Sequence, residues 1–137
     1  MRWLAATAIT LTAVVVAPVV ERATAAPAPG LNDAFVASVS SQTAVEALPG
    51  GRVVVLEQYS GQILKIDSTT GQLDPTPAAH LAVCGGGERG LLGFTHDPTF
   101  STSGRVYAFY TRTAPGVPGG CVNRVSAFVM SGNRIDV

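Results

Sequence analysis

Side chains that could do chemistry are sparse in this sequence, and most gather in one stretch. It reads Gly85-Gly86-Gly87-Glu88-Arg89-Gly90-Leu91-Leu92-Gly93-Phe94-Thr95-His96-Asp97, followed by Pro98 and Phe100. Gly85-x-Gly87-x-x-Gly90 has the glycine spacing of a dinucleotide-binding loop. That chemistry needs a helix starting at the last glycine, so that its N-terminus faces the pyrophosphate. Gly93 and Pro98 break any such helix, Thr95 favours strand, and no acidic residue stands about 20 positions further on. The dinucleotide reading is therefore rejected. His80 and His96 are the only histidines, and no further ligands at suitable spacing accompany them to make a metal site. His96-Asp97 has the types of an acid/base pair, but adjacent residues of a strand point to opposite faces. Asp97 reads better as the organiser of the Pro98 loop. Neither a Gly-x-Ser-x-Gly elbow nor a Cys–His nucleophile pair is present. Glu88-Arg89 remains, a charged pair in a glycine-rich loop just ahead of an apolar strand. Composition alone reads it equally as an exposed loop ion pair and as a functional group.

The elements that must position this loop are strands. No window shows sustained apolar spacing at three and four residues, and short β-rich runs alternate with Gly, Pro, Ser and Asn. Strands are expected at 35–39, 44–48, 52–57 and 62–67, with a weak outer strand from Gln72-Leu73. A second series is expected at 91–95, 105–111, 123–130 and from Arg134 on, with residues 98–104 as a loop. Gly51-Arg52-Val53-Val54-Val55-Leu56 overlays Gly104-Arg105-Val106-Tyr107-Ala108-Phe109, and a similar series of strands and turns follows each. A repeat of roughly 40–50 residues with four strands per unit is the pattern of β-propeller blades, with a β-sandwich as the alternative. Two blades cannot close a ring, so the chain reads as the N-terminal part of a longer propeller.

Residues 1–25 read as a signal peptide. Arg2 precedes an uncharged run from Leu4 to Val20, and Ala23-Thr24-Ala25 offers a small-x-small cleavage site. Residues 26–33 read as a flexible leader and 34–137 as the propeller part. The mature protein is expected to be secreted or periplasmic, with no stable membrane span after cleavage. Loss of Arg2 and Arg22 lowers Lys+Arg from 9 to 7, and loss of Glu21 lowers Asp+Glu from 9 to 8, a net charge near −1. No basic patch is available for nucleic acid or an anionic membrane. Export makes a disulfide between Cys84 and Cys121 possible, and their Gly-rich flanks favour it over two buried thiols. Such a bridge contributes on the order of 3–4 kcal/mol on the chain-entropy estimate.

Several motifs in order carry a family resemblance. They are Gly86-Gly87-Glu88-Arg89-Gly90-Leu91-Leu92-Gly93-Phe94, Asp97-Pro98-x-Phe100, Gly104-Arg105-Val106-Tyr107-x-x-Tyr110-Thr111 and Asn123-Arg124-Val125-Ser126-x-Phe128. Together they resemble the soluble glucose/sorbosone dehydrogenase family. Leu48-Pro49-x-Gly51-Arg52 and Glu57-x-x-x-Gly61-x-Ile63 fit its first blade, so the resemblance runs from about Val45 to the last residue. It implies an exported six-bladed propeller that oxidises the anomeric carbon of aldose sugars, using pyrroloquinoline quinone (PQQ) as hydride acceptor together with calcium. It also places Glu88 close to the sugar, where other members carry Gln. The family's catalytic histidine is expected beyond Val137, and His96 does not match it. The groups that hold PQQ and calcium are expected there too, so no catalytic, cofactor-binding or metal-binding residue is assigned within this chain. PQQ, calcium, an aldose sugar and an electron acceptor are thus expected partners of the full-length protein, and this chain alone is expected to be inactive. The alternative is a secreted propeller that binds or scaffolds without quinone chemistry, because fold does not settle function.

Overall fold

β-Branched and alternating runs make the strands, and glycine-containing turns separate them. The computed structural model describes residues 28–137 except Asp33 and Ser68, so the expected signal peptide lies outside the described residues. Within Ala34–Val137 there are two four-stranded sheets. The first contains β1 (Gln42–Leu48), β2 (Arg52–Glu57), β3 (Gln62–Ile66) and β4 (Ala79–His80). The second contains β5 (Leu91–His96), β6 (Arg105–Thr113), β7 (Cys121–Ser131) and β8 (Arg134–Asp136). Each is an antiparallel meander in sequence order, the architecture of two successive β-propeller blades. The overlay of Gly51–Leu56 on Gly104–Phe109 is thereby explained, because β2 and β6 are the second strands of their blades.

Three local readings are corrected. Residues 35–39 form no strand, and Phe35 is 83% exposed, since alternation without a partner edge does not make a strand. The outer strand of the first blade is Ala79–His80, whereas Leu73 contributes only a single bridge to Ile66. Residues 98–104 are not entirely loop, because Phe100–Ser103 winds into one helical turn, α1, closed by Gly104.

The core lies between the blades. Strand periodicity puts Leu48, Val54, Leu56 and Ile63 on one face of the first sheet. The cluster they form continues through Leu91, Val106, Ala108, Tyr110, Met130 and Ile135 of the second. Lys65 shares that face of the first blade, and its buried ammonium pairs with Asp74 Oδ2 at 3.0 Å. Side by side, β1 and β5 are joined by Thr43 Oγ1 donating to Leu91 O at 2.8 Å. At their far ends Glu46 Oε1 and His96 Nδ1 are hydrogen-bonded at 2.8 Å. The Arg52 guanidinium donates to Gly132 O at 2.7 Å and lies 5.9 Å from the centroid of the Phe100 ring, which stitches the β1–β2 turn to the second blade.

Asp97 organises the segment after β5. Its Oδ1 accepts from the Thr99 hydroxyl at 2.6 Å and the Thr99 amide at 2.8 Å, and its Oδ2 accepts from Tyr107 at 2.9 Å. These donors, the Thr99 hydroxyl foremost, hold its carboxyl below the ordinary aspartate value of 3.8. Amides of Thr70 and Thr69 do the same for Asp67, and the Thr76 amide followed by Lys65 for Asp74. A carboxyl depressed in the folded state stabilises the fold above its unfolded value, and that stability is lost as pH falls through the folded value. Asp97→Asn is therefore expected to unfold at a lower temperature than wild type at neutral pH. The difference should close as pH drops below 3.8. Circular dichroism melts across that range check it, and a pH-independent difference would contradict the linkage.

Candidate functional site

One rim of the blade pair carries the glycine-rich loop. The first blade supplies its support from the turn between β2 and β3. Glu57 anchors that turn, with Oε2 accepting from Ser60 at 2.7 Å and Oε1 accepting from the Ser40 amide at 3.2 Å. Gly61 ends the turn at φ +72°, and a Cβ there would overlap the Leu81 carbonyl. This close approach lets the Leu81 amide donate to Gly61 O at 2.9 Å.

The loop between β4 and β5 is fastened at both ends. Cys84 N donates to Thr111 O at 2.8 Å, and Leu91 N donates to Gln58 O at 2.8 Å. Cys84 is bonded to Cys121, the first residue of β7, with Cα atoms 6.1 Å apart. Between these ends three of the loop's carbonyls are engaged. Gly86 O accepts from the Arg89 amide at 3.2 Å and from Arg89 Nε at 3.4 Å. Gly87 O accepts from Gln58 Nε2 and Tyr59 Oη, both at 3.1 Å, and Arg89 O accepts from Gln58 Nε2 at 3.3 Å.

That arrangement decides what the loop can offer a ligand. In a trans peptide the N–H points opposite to the preceding C=O. No cis bond occurs among the described residues. With Gly86 O and Gly87 O held by protein donors, the amides of Gly87 and Glu88 face away from those donors. The Glu88 side chain is exposed on the same loop. One carboxylate acceptor beside two amide donors complements hydroxyl groups, which both donate and accept.

Sequence reasoning placed Glu88 on this loop and missed what holds it. Glu88 and Arg89 do not pair with each other, because the Arg89 guanidinium turns to Gly86 O and to Cys121 Sγ, the latter at 3.3 Å. Gln58 and Tyr59 lie 28–31 residues from their acceptors, and no local motif announces them. His80 is on the outer strand β4. His96 ends β5 at the rim away from the loop, and its partner Glu46 is 50 residues distant. Residues 91–96 form strand where a dinucleotide loop would require helix. Among the described residues no three His, Cys, Asp or Glu side chains converge as a metal site requires. No helix among them is long and apolar enough to cross a membrane.

Comparison with known proteins agrees with this architecture. The family model described as Glucose / Sorbosone dehydrogenase matches residues 39–136. An oxidoreductase of Thermus thermophilus, described as a glucose dehydrogenase, is 32% identical with a TM-score of 0.60, over 73% of this chain and 28% of its own. The PQQ-bound aldose sugar dehydrogenase of Streptomyces coelicolor is 26% identical with a TM-score of 0.58, over 72% of this chain and 28% of its own. The apo soluble aldose sugar dehydrogenase of Escherichia coli shares the fold at 22% identity and a TM-score of 0.56, over 66% of this chain and 25% of its own. A comparison with curated proteins finds no match. The sequence spans less than a third of the length of these solved relatives. With the family match running from the strand before the first turn to the last strand of the second blade, the chain belongs to the glucose/sorbosone dehydrogenase family.

Proposed function

We propose that the full-length protein is an exported quinoprotein that oxidises the anomeric carbon of aldose sugars, and that this chain supplies part of its sugar-facing rim. One observation carries the reading: Gly86 O, Gly87 O and Arg89 O of the glycine-rich loop are taken by protein donors, while Glu88 stays exposed on it. Glu88 accepts hydrogen bonds from sugar hydroxyls, and the Gly87 and Glu88 amides donate to their oxygens. Support for PQQ comes from the Streptomyces coelicolor relative, whose structure is PQQ-bound. When bound, PQQ supplies the hydride acceptor. Among the described residues no metal cluster is found, and calcium ligands are expected in later blades. Residues 26–137 alone are proposed to be inactive, since the expected general base and cofactor cradle belong to later blades. Export is proposed from the apolar run Leu4–Val20 and the Ala23-Thr24-Ala25 site.

The test uses the exported full-length product, whose N-terminal sequence should begin at Ala26, in a dye-coupled aldose oxidation assay with PQQ and calcium. Residues 26–137 are assayed beside it. Glu88→Ala in the active protein should lower kcat/KM for sugar about ten- to a hundredfold, the loss of a hydrogen bond to a charged group, with PQQ affinity unchanged. An unchanged kcat/KM removes Glu88 from the site. A folded, PQQ-supplied protein that oxidises no aldose would instead favour the binding or scaffold propeller. Activity in residues 26–137 would overturn the division of labour between blades.

A further inference from the structure

The two sulfurs of the Cys84–Cys121 bridge stand in different surroundings. The bridge joins residues 37 positions apart and ties the stem of the Glu88 loop to the start of β7. Both cysteines are half-buried at the rim. Arg89 Nη1 donates to Cys121 Sγ at 3.3 Å, whereas no donor among the described residues reaches Cys84 Sγ. A guanidinium beside a sulfur favours its thiolate, and the sulfur that forms the more stable thiolate is the better leaving group in thiol–disulfide exchange.

We propose that this bridge is a redox-modifiable latch on the Glu88 loop, opened by attack of an external thiolate on Cys84 with Cys121 as the leaving thiolate beside Arg89. The attacking sulfur bonds to Cys84 Sγ, the Cys84–Cys121 bond breaks, and its electron pair goes to Cys121 Sγ. When the reductant is a dithiol, its second thiolate attacks its own sulfur in the mixed disulfide and releases Cys84. Two electrons thus pass to the bridge, the dithiol becomes a disulfide, and the cysteine thiolates take protons from water. The opened loop keeps only rim hydrogen bonds from Gln58, Tyr59 and its backbone neighbours. Glu88 is then held by these hydrogen bonds alone. Only this last consequence, for ligand binding, rests on the proposed sugar site.

The experiment treats the exported full-length protein with 2-mercaptoethanol, traps free thiols with iodoacetamide and maps the adducts by peptide mass spectrometry. The mixed disulfide should sit on Cys84 over Cys121 by about fivefold or more. Arg89→Ala should bring the ratio towards one, and Arg89→Lys, which keeps the charge, should preserve much of it. In parallel, dithiothreitol should speed amide exchange across residues 85–90 by about tenfold while leaving β2 unchanged. Equal adducts in the wild type, a preference that survives Arg89→Ala, or unaltered exchange after reduction would each overturn the latch. Neither readout involves sugar. A protein that passes both but oxidises no aldose removes the sugar reading and keeps the latch, and one that is active but fails them does the reverse.

Discussion

Replacing Gly90 with alanine is expected to cost about 3 kcal/mol or more of stability, at the upper end of single substitutions. Gly90 has φ +139°, a region L-residues with a Cβ rarely enter, and its missing side chain faces the carbonyl of Gln58. That carbonyl cannot retreat, because it accepts the Leu91 amide at 2.8 Å. Gly90 O in turn accepts the Thr111 amide at 2.8 Å, so the residue is pinned from both blades. A Cβ must therefore push the first blade's turn away from the second, taking the Gln58 side chain from its two loop carbonyls. Gly87→Ala is the control. Gly87 also has positive φ, +58°, but nothing lies near the added carbon, and only the left-handed backbone penalty of about 1–2 kcal/mol is expected. Urea denaturation of the two variants separates the effects, and a wild-type midpoint for Gly90→Ala would refute the close approach.

Leu56→Ala is expected to cost about 2–5 kcal/mol, the range for emptying a buried leucine site. Leu56 is 0% exposed, pairs with Ile63 across β2 and β3, and belongs to the cluster that fills the space between the sheets. The loss combines lost burial with a cavity that rigid neighbouring strands cannot fully collapse. Against a typical total of about 5–15 kcal/mol, that removes a large share of the margin. Val45, on the opposite face of β1 and 64% exposed, provides the comparison, with a change of less than about 0.5 kcal/mol expected for Val45→Ala. Thermal melts check the pair, and equal effects at the two positions would show that the interblade cluster is not the principal core.

What could be read from the sequence follows from whether the controlling contact is local. β2 is marked by Val53-Val54-Val55 and β6 by Val106, Tyr107 and Phe109, because β-branched and aromatic residues fit a half-buried pleat. Residues 35–39 carry the same alternation and form nothing, since a strand needs an edge to pair with. β4 is two residues long, too short for any period to appear, and it is fixed by its pairing with Gln62 and Ile63. α1 did have a local signal, Asp97-Pro98 before it and Gly104 after it, but four residues are too few to show a helical stripe. At the rim, the loop's composition singled out Glu88. The partners Gln58, Tyr59 and Glu46 are set by blade docking, which no short window of sequence encodes.

The meander topology also orders the birth of this molecule on the ribosome. Every strand pairs with its neighbour in sequence, so each sheet closes only short loops and can form as soon as its own residues emerge. The first sheet can be complete once His80 is out, yet Leu56 and Ile63 then face water until residues 91–135 arrive to cover them. A nascent chain paused in that interval presents a finished sheet with a wet apolar face, the form in which a chaperone would meet it.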